Sequence, residues 1–384
     1  MNTKKQKVLT QQAGLYIHIP FCNRKCSYCS FYSVTDTSFI PEFIIKLEEE
    51  MILYQNQFSA FDSVYLGGGT PSILTEKQIE TILDSVRKYF LINTDAEITI
   101  ETNPTNTNIN FFKALRNLGV NRLNIGCQSF NDATLAFLGR LHNRKQSLKS
   151  IDDARKAGFE NIGVDLIYGI PSLANNNQFT IWQDTLKQVI AIQPEHLSCY
   201  QLSLEAGTPM SKEGKLLPDE KLQAQYFFHT SETLITAGYQ HYEISNFAKG
   251  THLRSRHNSS YWNHSQYLGI GPASHSFDGY QRWWNHCDLS LWLNALSDKT
   301  SPVAGSEMLN QAQRNLEMLF LGLRTDTGIN LEKYYATCEE NTLAKKRILI
   351  DNFIAEGFLY VSDRNLCPTI KGFAIADALA STLC

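Results

Sequence analysis

Apolar residues fall into two alternating textures over residues 14–245. Short runs rich in Val, Ile, Leu and Tyr, bounded by Gly, Pro or polar residues, predict strands. They lie at Gly14–Ile19, Ser63–Leu66, Ala96–Glu101, Arg122–Gly126, Asn161–Tyr168 and His196–Gln201. Between them, apolar positions at helical spacing predict helices at Pro41–Gln57, Thr75–Phe90, Asn110–Leu118, Gln146–Gly158, Gln178–Ile192 and Asp219–Gly238. Thr75 and Gln78 have the form of a capping box. Gly119, Gly158 and Gly238 stand where helix C-caps belong. A helix in every gap between strands implies parallel strands joined by right-handed crossovers. Six such units fit, fewer than the eight of a full barrel of ~250 residues. The expected fold class is α/β, a partial (β/α)6 TIM-like barrel over 14–245, with a doubly wound sheet as the alternative.

Beyond residue 245 the texture changes. Residues 251–292 are dense in His, Asn, Ser, Tyr and Trp and show little periodicity, so 246–300 reads as a linker region. Helices return at Glu307–Leu323, Leu331–Thr337 and Leu343–Glu356, followed by a strand pair, Leu359–Ser362 and Leu366–Thr369, and a last helix, Lys371–Leu383. This pattern predicts a small, mostly helical, winged-helix-like domain over 301–384. Such modules often touch nucleic acid, but this one is not especially basic, and a packing or lid role fits it better. Residues 1–13 read as an N-terminal tail.

Composition narrows the classes. The 384 residues are 43% hydrophobic and 19% charged, which excludes disordered, collagen-like and coiled-coil chains. The net charge of −3 offers no basic field to nucleic acid. No apolar run approaches the ~18 residues of a membrane span, and no apolar stretch follows the N-terminal lysines as a secretory signal would require. No integral membrane segment is therefore expected, and a cytoplasmic location is. There are nine cysteines; in a reducing compartment, clustered thiols read as ligands or catalysts. Six of them (Cys127, Cys199, Cys287, Cys338, Cys367 and Cys384) are scattered and read mostly as small buried apolar groups.

The other three stand together as Cys22-Asn-Arg-Lys-Cys26-Ser-Tyr-Cys29, after the first strand. Thiolates bind iron–sulfur clusters and zinc, and zinc sites usually take four ligands in two pairs. Three thiolates on a four-iron cube leave one iron without a protein ligand, where a chelating substrate can bind. This Cys-x-x-x-Cys-x-x-Cys spacing is that of the radical S-adenosylmethionine (SAM) superfamily. There, SAM chelates the open iron and is cleaved reductively to a 5′-deoxyadenosyl radical that takes hydrogen from a substrate.

In parallel βα barrels the active site lies at the carboxyl ends of the strands, and polar groups gather at those ends here. Gly67-Gly68-Gly69-Thr70-Pro71 follows the second strand, its glycines permitting close backbone approach to a ligand. Glu101 and Asn103 end the third strand, and Gln128 and then Arg140 follow the fourth. Asp165 lies inside the apolar fifth strand, where a carboxylate must be paired or bind something. Tyr200 and Gln201 end the sixth.

Tyr16-Ile-His-Ile-Pro-Phe-Cys22, Gly67–Pro71, Ile98–Glu101, Gln128–Asn131 and Asp165–Pro171 resemble the radical SAM family of oxygen-independent coproporphyrinogen III oxidases, over nearly the whole chain. The resemblance implies a partial (β/α)6 barrel with a small HemN-type C-terminal domain. It implies that Cys22, Cys26 and Cys29 ligate a [4Fe-4S] cluster, and that Tyr16, Tyr28, Gly68 and Glu101 contact its SAM. It places Gly69, Thr70, Gln128, Arg140 and Asp165 around a second SAM. Two departures from the oxidases matter. Phe31 stands where they carry a fourth cysteine, and Cys22 follows only a short tail. Both features are similar to the sister branch of heme chaperones. His257-Asn258-Ser259-Ser260-Tyr261-Trp262 resembles that branch's HNxxYW heme-binding motif, with His257 as the implied heme residue. From the residues alone, a His among Tyr and Trp reads more readily as hydrogen-bonded structure, and His252, His264, His275 and His286 are rivals. The branch implies heme as cofactor and cargo, and heme-acceptor proteins such as respiratory enzymes as partners. Peripheral membrane association is compatible with this. Coproporphyrinogen oxidase activity is the alternative function.

Overall fold

The computed structural model describes residues 13–171, 177–214, 216–337 and 345–383. Six strands follow the expected wiring: β1 (Ala13–Ile19), β2 (Phe61–Gly68), β3 (Ile92–Thr102), β4 (Arg122–Gln128), β5 (Ile162–Tyr168) and β6 (His196–Gln201). Each pairs in parallel with the next. Helices Ile40–Tyr54, Glu76–Tyr89, Ile109–Asn117, Arg144–Lys156 and Gln178–Ile192 make the crossovers. The Thr75–Gln78 capping box forms at the head of Glu76–Tyr89. Gly119, Gly158 and Gly238 adopt positive φ after their helices, which Gly tolerates without a Cβ penalty.

Alternation within the strands divides the barrel into two worlds. In β1, Leu15, Ile17 and Ile19 are fully buried in the apolar cluster shared with the helices. Each such side chain contributes roughly 1.5–3 kcal/mol of burial. The intervening Gly14, Tyr16 and His18 meet Ser63, Tyr65 and Gly68 of β2 and residues of the helix Arg256–Trp262 inside the barrel. The interior is thus lined by polar and aromatic groups, and the outer layer holds the fold together.

The stretch expected to be a linker is built into the sheet. Strands β7 (Gln240–His241) and β8 (Asn246–Ala248) add to β6, while β9 (Tyr267–Ile270) pairs in parallel with β1. Strands β10 (His275–Phe277), β11 (Gln281–Asn285) and β12 (Val303–Met308) extend that edge in antiparallel fashion, giving this sheet twelve strands among the described residues. Glu307, expected in a helix, lies in β12; the helix itself is Gln311–Gly322. The short helix Arg256–Trp262 closes the floor of the barrel, with Glu97 of β3 accepting the backbone N–H groups of Arg256 and His257 at 3.1 Å each.

The C-terminal unit has its own apolar cluster around Leu319, Leu323, Leu366 and Leu383, and a small sheet of β13 (Ile329–Asn330), β14 (Leu359–Ser362) and β15 (Asn365–Pro368). The expected helix Leu343–Glu356 is observed as Arg347–Ala355, its first residues lying outside the described ones. The expected last helix breaks at Ile375 into Ile370–Ala374 and Ala376–Leu383. Arg254 ties this unit to the barrel through both carboxylate oxygens of Asp326, at 2.9 and 2.6 Å. Among the described residues, no helix is long and apolar enough to cross a membrane.

Candidate functional site

Residues 20–34, after β1, form a loop closed at its neck. Cys22 N–H donates to the Val34 carbonyl at 2.9 Å, and Val34 N–H to that of Pro20 at 2.7 Å. Cys22 is buried and Cys26 and Cys29 are half-buried, with all three thiols free. Cys22 Sγ lies 3.4 Å from Thr70 Oγ1, and Arg140 Nη1 points at Cys26 Sγ from 3.7 Å. Burial foremost raises the Cys29 thiol pKa. Tyr28 seats the loop by packing on the apolar cluster of Leu138, Ile167, Ile170, Leu202 and Met210. Among the described residues no three Cys, His, Asp or Glu side chains converge as they would around a single metal ion. A four-iron cube takes its thiolates on separate irons and does not require that convergence.

Beside the loop opens a cavity of about 410 Å³ at the carboxyl end of the strands. Tyr28, Cys29, Gly68, Gly69, Thr70, Glu101, Gln128, Arg140 and Asp165 all line it, so most of the residues singled out in the sequence share one pocket. Phe31 stands at its edge, 65% exposed. Tyr16 lies beneath Gly67 rather than on the surface of the cavity, and Cys26 faces a small adjoining hollow with Thr70 and Arg140.

At the end of β2 three amides are taken up within the fold: Gly68 N–H donates to Glu101 Oε2 (3.2 Å), Gly69 N–H to Ile19 O (2.8 Å) and Thr70 N–H to Phe21 O (2.8 Å). The glycine triplet provides close approach. A Cβ on Gly68 would lie 2.6 Å from the His18 ring, on a backbone at φ +107°, and one on Gly69 would lie 2.7 Å from the Phe21 carbonyl. The end of β2 is thereby stitched to the base of the cysteine loop.

The two carboxylates are half-buried in the wall of the cavity. Glu101 also accepts from Tyr65 Oη at 2.8 Å, and burial foremost raises its pKa to about 7. Asp165 accepts from Asn124 Nδ2 at 2.7 Å through Oδ2, and burial, opposed by hydrogen bonds from Ser198 and Asn124, raises its pKa to about 6. Among the described residues, Asp165 Oδ1 and Arg140 Nε are buried without a hydrogen-bond partner. Unsatisfied buried polar atoms of this kind cost ~1–3 kcal/mol each, and a polar ligand in the cavity would satisfy them. Gln128, at φ +66° beside a bulge between β4 and β5, is turned into the same space. Three thiols, an acidic and amide-rich wall and unpaired polar atoms fit a cluster carrying a charged, hydrogen-bonding ligand.

His257 sits elsewhere. It is 1% exposed, inside the barrel floor, with Nδ1 3.0 Å from Ser63 Oγ and Nε2 2.9 Å from Tyr261 Oη. Its ring stacks on Tyr65 at 4.9 Å, and burial lowers its pKa to about 3. In this arrangement both ring nitrogens of His257 have hydroxyl partners, as the hydrogen-bonded reading of the residues expects. Sequence reasoning missed Tyr65, Asn124 and His18 as parts of the site. The period-2 alternation that sends Leu15, Ile17 and Ile19 outward signals the inward set in β1.

Comparison with known proteins agrees with this geometry. The model of the radical SAM superfamily matches residues 16–176, and that of the HemN C-terminal domain matches 309–375. The heme chaperone HemW of Mycobacterium tuberculosis (strain ATCC 25618 / H37Rv) is 33% identical, with 97% of this chain and 95% of that protein covered. The chain belongs to the HemW family of radical SAM proteins. HemW of Bacillus subtilis (strain 168) is 31% identical over 83% of this chain and 85% of its own length. The mitochondrial radical SAM domain-containing protein 1 of Mus musculus is 32% identical over 97% and 87%. Among solved structures, coproporphyrinogen III oxidase (HemN) from Escherichia coli superposes with a TM-score of 0.83 over 97% of this chain and 90% of that one. At 21% identity that likeness shows a shared fold. HemW membership carries the superfamily's cofactors, a [4Fe-4S] cluster and SAM.

Proposed function

We propose that the protein is a cytoplasmic heme chaperone, binding heme and passing it to acceptor proteins such as respiratory enzymes, on a radical SAM scaffold. The observation that carries this reading is full-length similarity to proteins named heme chaperones, joined to a three-thiol loop at the rim of a polar cavity. Cys22, Cys26 and Cys29 would hold the cluster, and Glu101, Gly68 and Tyr28 would border the SAM on it, with Tyr16 supporting them from below. Gln128, Arg140, Asp165, Gly69 and Thr70 supply the remaining polar wall, where a second SAM would sit. When bound, a cluster with SAM supplies reductive carbon–sulfur cleavage. The chain's own part is to seat the cysteine loop through Tyr28 and to offer Glu101 and Asp165 in protonation states that change near neutral pH.

Anaerobically reconstituted protein titrated with hemin is expected to bind about one heme per chain and release it to an apo-acceptor. Absence of heme binding at micromolar concentration contradicts the chaperone reading. Turnover of coproporphyrinogen III above background in the same preparation makes the protein an oxidase instead.

A further inference from the structure

Beneath the cavity, Ser63, His257 and Tyr261 form a closed set in which each ring nitrogen of His257 has a hydroxyl partner, at 3.0 and 2.9 Å. The orientation of the imidazole is therefore fixed. Its face lies against Tyr65 with centroids 4.9 Å apart and planes 24° apart, and against Tyr16 at 6.2 Å and 29°. Both tyrosines point upward from this floor. Tyr65 donates to Glu101 Oε1 at 2.8 Å, and the other oxygen of Glu101 accepts the Gly68 amide. The missing Cβ of Gly67 would sit 2.8 Å from the Tyr65 ring, so the phenol is held on that side as well. Tyr16 Oη lies 3.0 Å from His18 Nδ1, and His18 Nε2 lies 3.0 Å from the Tyr32 carbonyl, three residues past Cys29. A carbonyl only accepts, so Nε2 carries the proton of the neutral His18 ring and Nδ1 accepts from Tyr16.

We propose that Ser63, His257 and Tyr261 are positioning residues, which set Glu101 and Gly68 through Tyr65 and the cysteine loop through Tyr16 and His18. The inference rests on the reading that the cavity holds SAM. It assigns the histidine a task inside the scaffold, where each of its ring nitrogens already has a hydroxyl partner. The relay is made of stacked rings and short hydrogen bonds, which shift as units and do not deform gradually, so a loss at the floor moves the acceptor at the rim.

The test is a double-mutant cycle on the reconstituted full-length protein, reading SAM affinity by equilibrium dialysis and the SAM-induced change in the reduced cluster's EPR spectrum. Ser63→Ala is expected to weaken SAM binding roughly 3- to 10-fold with Tyr65 present. In a Tyr65→Phe background, where the link to Glu101 is already cut, its effect is expected to shrink to the part that passes through Tyr16 and His18. Tyr261→Phe, which removes one hydroxyl from the other nitrogen, is expected to act in the same direction and serves if Ser63→Ala does not fold. Equal effects of Ser63→Ala in both backgrounds, or no effect in either, would overturn the proposal. Loss of heme binding with intact SAM binding in these variants would also overturn it, by placing the role of this set at heme and not at the rim of the SAM cavity. Wild-type protein that binds no SAM would sink the reading of the cavity itself.

Discussion

Replacing Glu50 by alanine removes a carboxylate that joins the helix Ile40–Tyr54 to the added edge of the sheet. Glu50 is fully buried and accepts from Gly271 N–H (2.8 Å), Trp292 Nε1 (3.0 Å) and Asn285 Nδ2 (2.5 Å). Asn285 Nδ2 also reaches the Gly271 carbonyl and Ser274 Oγ, so it stays satisfied after truncation. The Gly271 amide and the Trp292 indole do not. Two stranded donors at ~1–3 kcal/mol each, plus a small cavity, predict that Glu50→Ala costs about 3–6 kcal/mol. Glu50→Gln keeps one oxygen, enough for the two donors that share Oε2, and should cost about 1–2 kcal/mol.

A pH signature separates this account from simple loss of volume. Burial raises the pKa of Glu50 from 4.5 to about 7. The folded state thus favours the neutral carboxyl. The stability this contributes is whole below about pH 4.5 and is lost as pH rises through about 7, roughly 3 kcal/mol in total. Relative to Glu50→Gln, the wild type should lose stability over that window. The assay is urea unfolding of the cluster-free protein followed by tryptophan fluorescence, with Trp292 a local reporter. A cost below about 1 kcal/mol for Glu50→Ala, or equal costs for Ala and Gln with no pH dependence between them, would refute the reasoning.

Three further outcomes are expected. Gly68→Ala forces a Cβ against His18 at a positive φ and should destabilise the protein by roughly 2–3 kcal/mol, read as a lowered melting temperature. Because burial raises the pKa of Glu101 to about 7, its carboxylate should ionise across neutrality; affinity for cationic SAM should tighten as pH rises through about 7, and in Glu101→Gln the slope should flatten to what Asp165, raised to about 6, still contributes, measured by equilibrium dialysis. Arg254→Met breaks the paired bonds to Asp326 and should cost about 1–3 kcal/mol, read as faster hydrogen exchange in residues 309–337 and 345–375.

Much of the architecture was legible because βα wiring leaves local marks: apolar strand runs, the Thr75–Gln78 cap and glycines at helix ends. The cysteine loop and the strand-end carboxylates were legible because their chemistry is uncommon in apolar surroundings. The sheet extension was not. Strands β8 to β11 have three to five residues each and are rich in Ser, Asn, His and Trp, and β9 finds β1 across some 250 positions of chain. No local period records such a pairing. The same holds for His257, whose partners Ser63, Tyr65 and Glu97 come from distant strands. A motif of His, Tyr and Trp looks alike in a ligand site and in a packed floor; only the fold distinguishes them.

The most direct test of the central claim is iron and sulfide analysis with SAM binding, on anaerobically reconstituted wild type and Cys26→Ala. About four irons and four sulfides per chain with bound SAM, all lost in the variant, is the predicted result. Zinc in the wild type, or iron content unchanged in Cys26→Ala, would contradict it.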